Sequence, residues 1–375
     1  MSKAGYNERY ARHLVLPGFT AEAQARLAAA RVLVVGAGGL GVPVLQYLTA
    51  AGVGTLGIVD GDRISLSNLQ RQVLYTTEAV GQPKAAFAAQ VLAQLNPDVR
   101  FEAWNHYLNT QNARALIRPY DMVVDGSDNF ATRYLVNDAC VLEGKPLVFG
   151  SVFRFEGQVA VLNVRQANGQ LSGNYRCLFP EPPAPGTVPD CAEGGVLGAL
   201  PGMVGSVQAL EVLKLLTGLG LPLVNQLWQY DALTHKSSIL RYTPDPNNPL
   251  TGTNPTQTEL VDYAQWCGTP LPSERTGWSE LSPAEYARWR KAGREHFLLD
   301  VRNADEYAQD HLGGRLIPLA ELADRLAEVP KTAEVVVMCQ AGMRSQQAAG
   351  LLAQAGFSSV FSLAGGLNRW RREMA

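Results

Sequence analysis

Arg31-Val32-Leu33-Val34-Val35-Gly36-Ala37-Gly38-Gly39-Leu40-Gly41 decides the fold of the front of this chain. The apolar run 31–35 reads as a strand buried on both faces, which places it centrally in a parallel sheet covered by helices. The glycines then turn the chain into a helix. In such a loop the backbone N–H groups can approach anionic oxygens, and the helix N-terminus adds favourable partial charge. Gly36, Gly38, Gly39 and Gly41 are therefore candidate phosphate-binding positions. Asp60, at the end of the next apolar run, can accept hydrogen bonds from ribose hydroxyls. Taken alone, this pattern also fits an NAD-dependent oxidoreductase.

Further strands are predicted over residues 54–60, 121–126, 146–150 and 157–164, and a helix over 201–217, with Pro201 at its start and Gly218 just beyond its end. No charge falls between Arg31 and Asp60, yet Pro43 and seven glycines divide that stretch into strand, loop, helix and turn, so it is not a membrane span. The 375 residues carry a net charge of −2, which offers no basic footprint for nucleic acid. Arg369, Arg371 and Arg372 form a local cluster that reads as a solvated helix face. The N-terminal residues lack the apolar segment of a signal peptide, and five cysteines without tight spacing argue for reduced thiols and a cytoplasmic setting.

Polar and charged groups after Asp60 narrow the choice. Ser65-Leu66-Ser67-Asn68-Leu69-Gln70-Arg71-Gln72 precedes Gly81-Gln82-Pro83-Lys84, and Arg71 and Lys84 are cations suited to a triphosphate. Asp125-Gly126-Ser127-Asp128-Asn129 puts carboxylates at a strand end, where one carboxylate together with phosphates can hold Mg2+. A nicotinamide-dependent reading leaves Arg71, Lys84 and Asp128 unemployed.

Residues 244–276 are rich in proline and asparagine and read as a linker, with one short helical patch near 259–266. They separate a first domain, 1–243, from a second, 277–375. Ser282-Pro283-Ala284-Glu285 is a capping box with proline at the first helical position. A strand (297–301), a helix (319–329), a strand (334–339), a helix (345–355) and a strand (360–363) should follow, again an open α/β sheet. Cys339-Gln340-Ala341-Gly342-Met343-Arg344 joins the second of these strands to the next helix. A cysteine there sits among backbone N–H groups that favour its thiolate, which matters because an ordinary thiol is only about 3% ionised at pH 7.

These motifs resemble two known families. The glycine loop, the 65–72 segment, Gly81–Lys84, Asp125–Asn129 and Arg9-Tyr10-Ala11-Arg12 are similar to the MoeB/ThiF adenylyltransferases, relatives of ubiquitin-activating enzymes, over about residues 5–240. The resemblance implies a Rossmann-like, mostly parallel α/β sheet. It also implies ATP-dependent adenylation of the C-terminal glycine of a ubiquitin-like sulfur carrier ending in Gly-Gly, of the MoaD/ThiS type, in molybdopterin or thiamin biosynthesis. Asp60 would bind the ribose, and Gly39, Ser67, Asn68, Arg71 and Lys84 would surround the phosphates. Leu69, Gln70 and Asn129 belong to the same nucleotide-binding motifs, Asp128 would hold Mg2+, and Arg12 would reach into the partner's site in a homodimer.

Residues 280–375 resemble single-domain rhodaneses, through Cys339–Ser345 and through Leu298-Leu299-Asp300-Val301-Arg302 with Glu306, His311, Gly313 and Gly314. This implies that Cys339 carries persulfide sulfur, supplied by a donor such as a cysteine desulfurase, and that Arg344 closes its cradle. Asp300 and Arg302 read as shaping the fold. Cys191, in a glycine- and proline-bounded loop, is a candidate second thiol. Cys140 reads as core, Cys267 as part of the linker, and His13 as structural. MoeB proteins commonly carry zinc on two CxxC pairs. Here the first is reduced to Asn174-Tyr175-Arg176-Cys177 and the second is absent, so no zinc is expected.

Overall fold

The computed structural model describes residues 8–182, 195–267 and 278–374. The chain divides into two compact units, 1–272 and 273–375. The first is built on an eight-stranded sheet of order β3-β2-β1-β4-β5-β6-β7-β8. Its strands are β1 (Arg31–Val35), β2 (Thr55–Val59), β3 (Arg100–Trp104), β4 (Met122–Asp125), β5 (Leu147–Phe153), β6 (Glu156–Leu162), β7 (Gln226–Asp231) and β8 (Lys236–Arg241). Pairing is parallel from β3 through β5 and antiparallel from β5 through β8.

Three of the strands are buried at every position or nearly so: β2 and β4 throughout, β1 except at Arg31. Val32, Leu33 and Val34 are fully buried, each contributing about 1.5–3 kcal/mol of transfer free energy. Val35 aligns with Val59 on one side and with Asp125 on the other, so three strand ends stop level. Chain order reverses there, because β1 lies between β2 and β4. The crevice outside such a reversal is where open α/β sheets bind ligands. The helix Ala199–Thr217 crosses under β5 and β6 and is apolar enough to cross a bilayer by length and composition alone. It nevertheless buries Gln208, whose Nε2 donates to the Asp125 and Val148 carbonyls at 2.8 and 3.3 Å, as a core helix does.

Sequence patterning missed β3, β7 and β8. β3 has no fully buried residue and β8 is exposed throughout, so neither carries the apolar run that marks the central strands.

The stretch expected to be a linker differs more. Residues 244–267 pack on the first unit, and the short helix Tyr263–Cys267 lies against the helix Phe130–Leu142. Tyr263 and Cys267 are buried, which corrects the reading of Cys267 as a linker residue. Two polar clusters hold the segment. Fully buried Asp138 receives Arg176 at 2.9 and 2.7 Å, the Tyr263 hydroxyl at 2.6 Å and Gln257 Nε2 at 2.9 Å. Nearby, Asn174 Nδ2 donates to Thr251 Oγ1 at 2.9 Å, while Asn248 Nδ2 donates to Asn174 Oδ1 at 3.0 Å and to Cys177 Sγ at 3.2 Å. Proline and asparagine content signalled an irregular path, and the path is irregular. It is tied down by side chains that composition does not reveal.

The second unit is an all-parallel sheet of order β11-β10-β12-β13-β9. The strands are β9 (Trp278–Leu281), β10 (Phe297–Asp300), β11 (Arg315–Leu316), β12 (Val335–Met338) and β13 (Val360–Leu363). The capping box forms as expected, with Glu285 N donating to Ser282 Oγ at 3.2 Å. The helix expected over 319–329 is instead two 3-10 turns, Leu319–Glu321 and Leu326–Glu328, and a helix not anticipated spans Ala304–Gln309.

Removing the Asp138 carboxylate leaves Arg176 buried without its partner, a loss of about 3–5 kcal/mol. In urea unfolding followed by tryptophan fluorescence, Asp138→Ala should lower the midpoint and expose residues 250–267 to protease. An unchanged midpoint would remove Asp138 as the anchor of this segment.

Candidate functional site

The glycine loop forms by close backbone approach. Gly36 has φ +90°, and a Cβ there would lie 2.8 Å from the Gly126 carbonyl oxygen, while one on Gly41 would lie 1.8 Å from the Gly36 oxygen. Asp60 fixes the loop further, accepting Ala37 N–H on Oδ2 at 2.8 Å and Asp62 N–H on Oδ1 at 2.7 Å. Burial pushes the Asp60 carboxyl up to about 6, against the opposing pull of Lys84. It is thus an acceptor whose charge is only partly stabilised before a ligand arrives.

One pocket opens beside this loop. Gly36, Gly38, Gly39, Asp60, Asn68, Arg71, Lys84, Asp128 and Asn129 all line it. Lys84 is 4% exposed and donates to Asp62 Oδ2 at 2.9 Å. Burial would depress its ammonium, but Asp60 and Asp62 outweigh that and raise it, so it is charged. Tyr107 binds the other oxygen of Asp62. Arg71 is aimed by its own turn, Nη1 donating to the Ser67 carbonyl at 3.0 Å. Asn129 caps the helix Phe130–Leu142 by accepting Thr132 N–H at 2.8 Å, which leaves Asp128 exposed at the pocket wall.

Four other expected residues do not line the pocket. Gly41 is consumed by the backbone approach to Gly36, Ser67 bonds Ser65 at 2.9 Å, and Leu69 packs against the apolar core. Gln70 packs its backbone carbonyl against Gly198, where a Cβ would come within 2.1 Å. Arg12 stands exposed on the helix Ala11–Leu14 and lines no part of this pocket among the described residues. His13 packs between Tyr10 and Phe19 and contacts Gln24 Oε1 at 3.0 Å, a structural setting.

Gln72 and Arg133 are among the pocket residues that escaped the sequence reading. Gln72 is 3% exposed and Arg133 is 7% exposed, and Gln72 Oε1 and Arg133 Nε have no hydrogen-bond partner among the described residues. Arg133 lies over the Phe130 and Phe149 rings. Its position four residues after the capping Asn129 was the available signal, since i and i+4 share a helix face.

In the second unit, Cys339 directly follows β12 and is 1% exposed. Gly342, at φ +100°, turns its N–H to within 3.1 Å of the sulfur, and the Ser345 hydroxyl lies 3.6 Å away. Arg344 is held by both oxygens of Glu306 at 2.7 and 2.6 Å, and that hydrogen bonding pulls the Glu306 carboxyl down to about 2. Arg302 and Asp300, both buried, form a forked pair, and Arg302 Nη1 also fixes Gln340 Oε1 at 2.8 Å. Cys140, Cys177, Cys267 and Cys339 are free thiols, whereas Cys191 lies outside the described residues.

Comparison with known proteins agrees with both halves. Residues 10–250 match the ThiF family and residues 282–373 the rhodanese-like domain. The chain is 45% identical to the probable adenylyltransferase/sulfurtransferase MoeZ of Mycobacterium tuberculosis, across 98% of this chain and 93% of the other. It is 57% identical to the sulfur carrier protein adenylyltransferase of Thermus thermophilus, over 70% of this chain and 96% of the other. The adenylyltransferase and sulfurtransferase MOCS3 of Anopheles gambiae is 40% identical, over 97% and 86%. The fold is also that of a crystal structure of E. coli MccB with ATP, with a TM-score of 0.54 at 21% identity over 65% of this chain and 75% of that one. The chain is a member of the ThiF family of adenylyltransferases that continues into a C-terminal rhodanese-like domain.

Proposed function

We propose that this enzyme activates the C-terminal glycine of a ubiquitin-like sulfur carrier with ATP and then delivers sulfur to it from Cys339. The observation that carries the reading is the convergence of Asp60, Asn68, Arg71, Lys84 and Asp128 on one pocket at the level ends of β1, β2 and β4. A triphosphate carries more charge than a dinucleotide's pyrophosphate, and this pocket offers two or three cations to meet it.

Asp60 accepts the ribose hydroxyls, while the glycine loop, Arg71 and Lys84 hold the phosphates. The carrier carboxylate attacks the α-phosphorus, the bond to the leaving phosphate breaks, and pyrophosphate departs with its electron pair. The fixed cations stabilise that developing charge without reorganising. Asp128 is an exposed carboxylate facing the phosphate region, a hard oxygen donor of the kind Mg2+ takes. Bound there, Mg2+ would neutralise phosphate charge. Arg133 lines the same pocket with its Nε unpartnered among the described residues, and it would meet the incoming carboxylate or the acyl phosphate. Arg12, exposed and away from its own pocket, suits action in the partner's site of a homodimer.

A desulfurase-type donor loads Cys339 with sulfane sulfur. The persulfide attacks the acyl carbonyl, AMP leaves, and an acyl disulfide forms. Attack by the Cys191 thiolate on Cys339 Sγ would then release the thiocarboxylate and leave a Cys191–Cys339 disulfide for an external thiol to reduce. Molybdopterin biosynthesis is the pathway class this chemistry serves, and thiamin biosynthesis uses the same step. Free thiols support a cytoplasmic setting. Zinc has no place in this scheme, because Asn174, Cys177, Asn248 and Thr251 satisfy one another and supply one soft donor.

Carrier-dependent ATP–pyrophosphate exchange tests the first half: Asp128→Ala should reduce it at least about a hundred-fold, and unchanged exchange would remove that role. Cys339→Ser should abolish carrier thiocarboxylate formation, read by mass spectrometry, while exchange persists. Protonation weakens Asp60 as an acceptor, so the KM for ATP should rise as pH falls through about 6 and be flat above neutrality. A KM independent of pH from 5 to 8 would refute the ribose assignment.

A further inference from the structure

Beneath Cys339 lies a pair of buried hydroxyls from two different elements. Ser345 belongs to the helix Met343–Gln354 and Ser362 to β13, and both are fully buried. Their oxygens are 2.9 Å apart. Ser345 Oγ is also 2.8 Å from the Gly342 carbonyl oxygen, to which it donates, and 3.6 Å from Cys339 Sγ, from which it accepts. A hydroxyl has one proton and two acceptor lone pairs, so this arrangement saturates Ser345 when Cys339 is a thiol.

The count changes when the thiol proton is lost to water and its electron pair stays on sulfur. Sγ then needs donors, and the Gly342 N–H at 3.1 Å is already one. If Ser362 donates to Ser345, the single Ser345 proton can point only at the Gly342 carbonyl or at Sγ. We propose that Ser345 is a hydroxyl donor to the Cys339 thiolate and persulfide, and that Ser362 is the positioning residue that, by donating to Ser345, keeps the Ser345 proton off Ser362 and free to turn from the Gly342 carbonyl to the sulfur. Rotation about one C–O bond converts the thiol-accepting state into the anion-donating one, with no movement of the backbone.

The charged groups around the loop leave this task to the hydroxyls. Arg344 is paired with Glu306, Arg302 with Asp300, and Arg369 with Glu373. Their charges are largely compensated, so a neutral donor that reorients is the adjustable element next to the sulfur. The inference rests on the reading that Cys339 is the reacting thiol.

The test uses the full-length protein and follows iodoacetamide alkylation of the Cys339 peptide by mass spectrometry across pH 5–10. In Ser345→Ala the pH of half-maximal alkylation should rise, and sulfur transfer at pH 7 should fall about three- to ten-fold through kcat, since hydrogen bonds to ions are the strong ones. Ser362→Ala should shift the profile the same way by a smaller amount, and Ser362→Thr, which keeps the hydroxyl on a strand that suits β-branching, should restore it. Profiles that superimpose on the parent's would overturn the proposal, even if activity fell, because a merely structural pair would lower yield without moving the pH dependence. Absence of any persulfide on the parent Cys339 after incubation with thiosulfate or a low-molecular-weight persulfide, read by the same mass spectrometry, would instead overturn the reading of Cys339 itself, and this proposal with it.

Discussion

A carbonyl oxygen pressed against a glycine α-carbon sets the geometry of the front domain. Gly36 and Gly41 meet so closely that no side chain fits between them, and Gly36 in turn abuts the Gly126 backbone. This brings the end of β1, the start of the next helix and the end of β4 into one small volume. From there Asp60 can reach the Ala37 N–H, and Asp128 and Asn129 can face the same space as Arg71 and Lys84. Asp60, Arg71, Lys84 and the Asp128–Asn129 pair come from different segments, and the close backbone approach brings the ends of β1 and β4 together among them. The large apolar core on both faces of the sheet holds that contact in place.

The second domain sets the same strand-loop-helix geometry around a single sulfur atom. Its glycine, Gly342, also takes a left-handed backbone and also turns an N–H inward. The two loops differ in access. The first opens onto a pocket, whereas the second closes around a sulfur that is nearly inaccessible. An open loop suits a ligand that comes and goes, and a closed one suits a group that stays covalently attached and must be kept from water.

Much of this was legible in the sequence because it follows from local rules. Apolar runs with glycine at their ends located β1, β2, β4, β12 and β13, and glycine spacing located both loops. The pocket residues Asp60, Asn68, Arg71, Lys84 and Asp128 sit in motifs with strong spacing. What could not be read depends on long-range partners. Gln72 ends the 65–72 motif without a spacing that says which way it points, Arg133 lies in no motif, and only folding turns both inward. The packing of residues 244–267 depends on Asp138 and Arg176, which lie far upstream in the chain. The two short turns at 319–329 have helical composition, and buried Leu322 and Val329 lie seven residues apart, a spacing a continuous helix would also give, so the apolar pattern could not separate two turns from one helix.

The cluster of Asn174, Cys177, Asn248 and Thr251 has a chemical consequence for an enzyme that handles labile sulfur. Thiolates are the groups that capture sulfane sulfur or oxidise to sulfenic acid. Carboxamides and alcohols do neither. Three of the four groups fastening this part of the fold are therefore inert to the reagent the enzyme carries, so stray sulfur transfer has fewer competing nucleophiles to consume it.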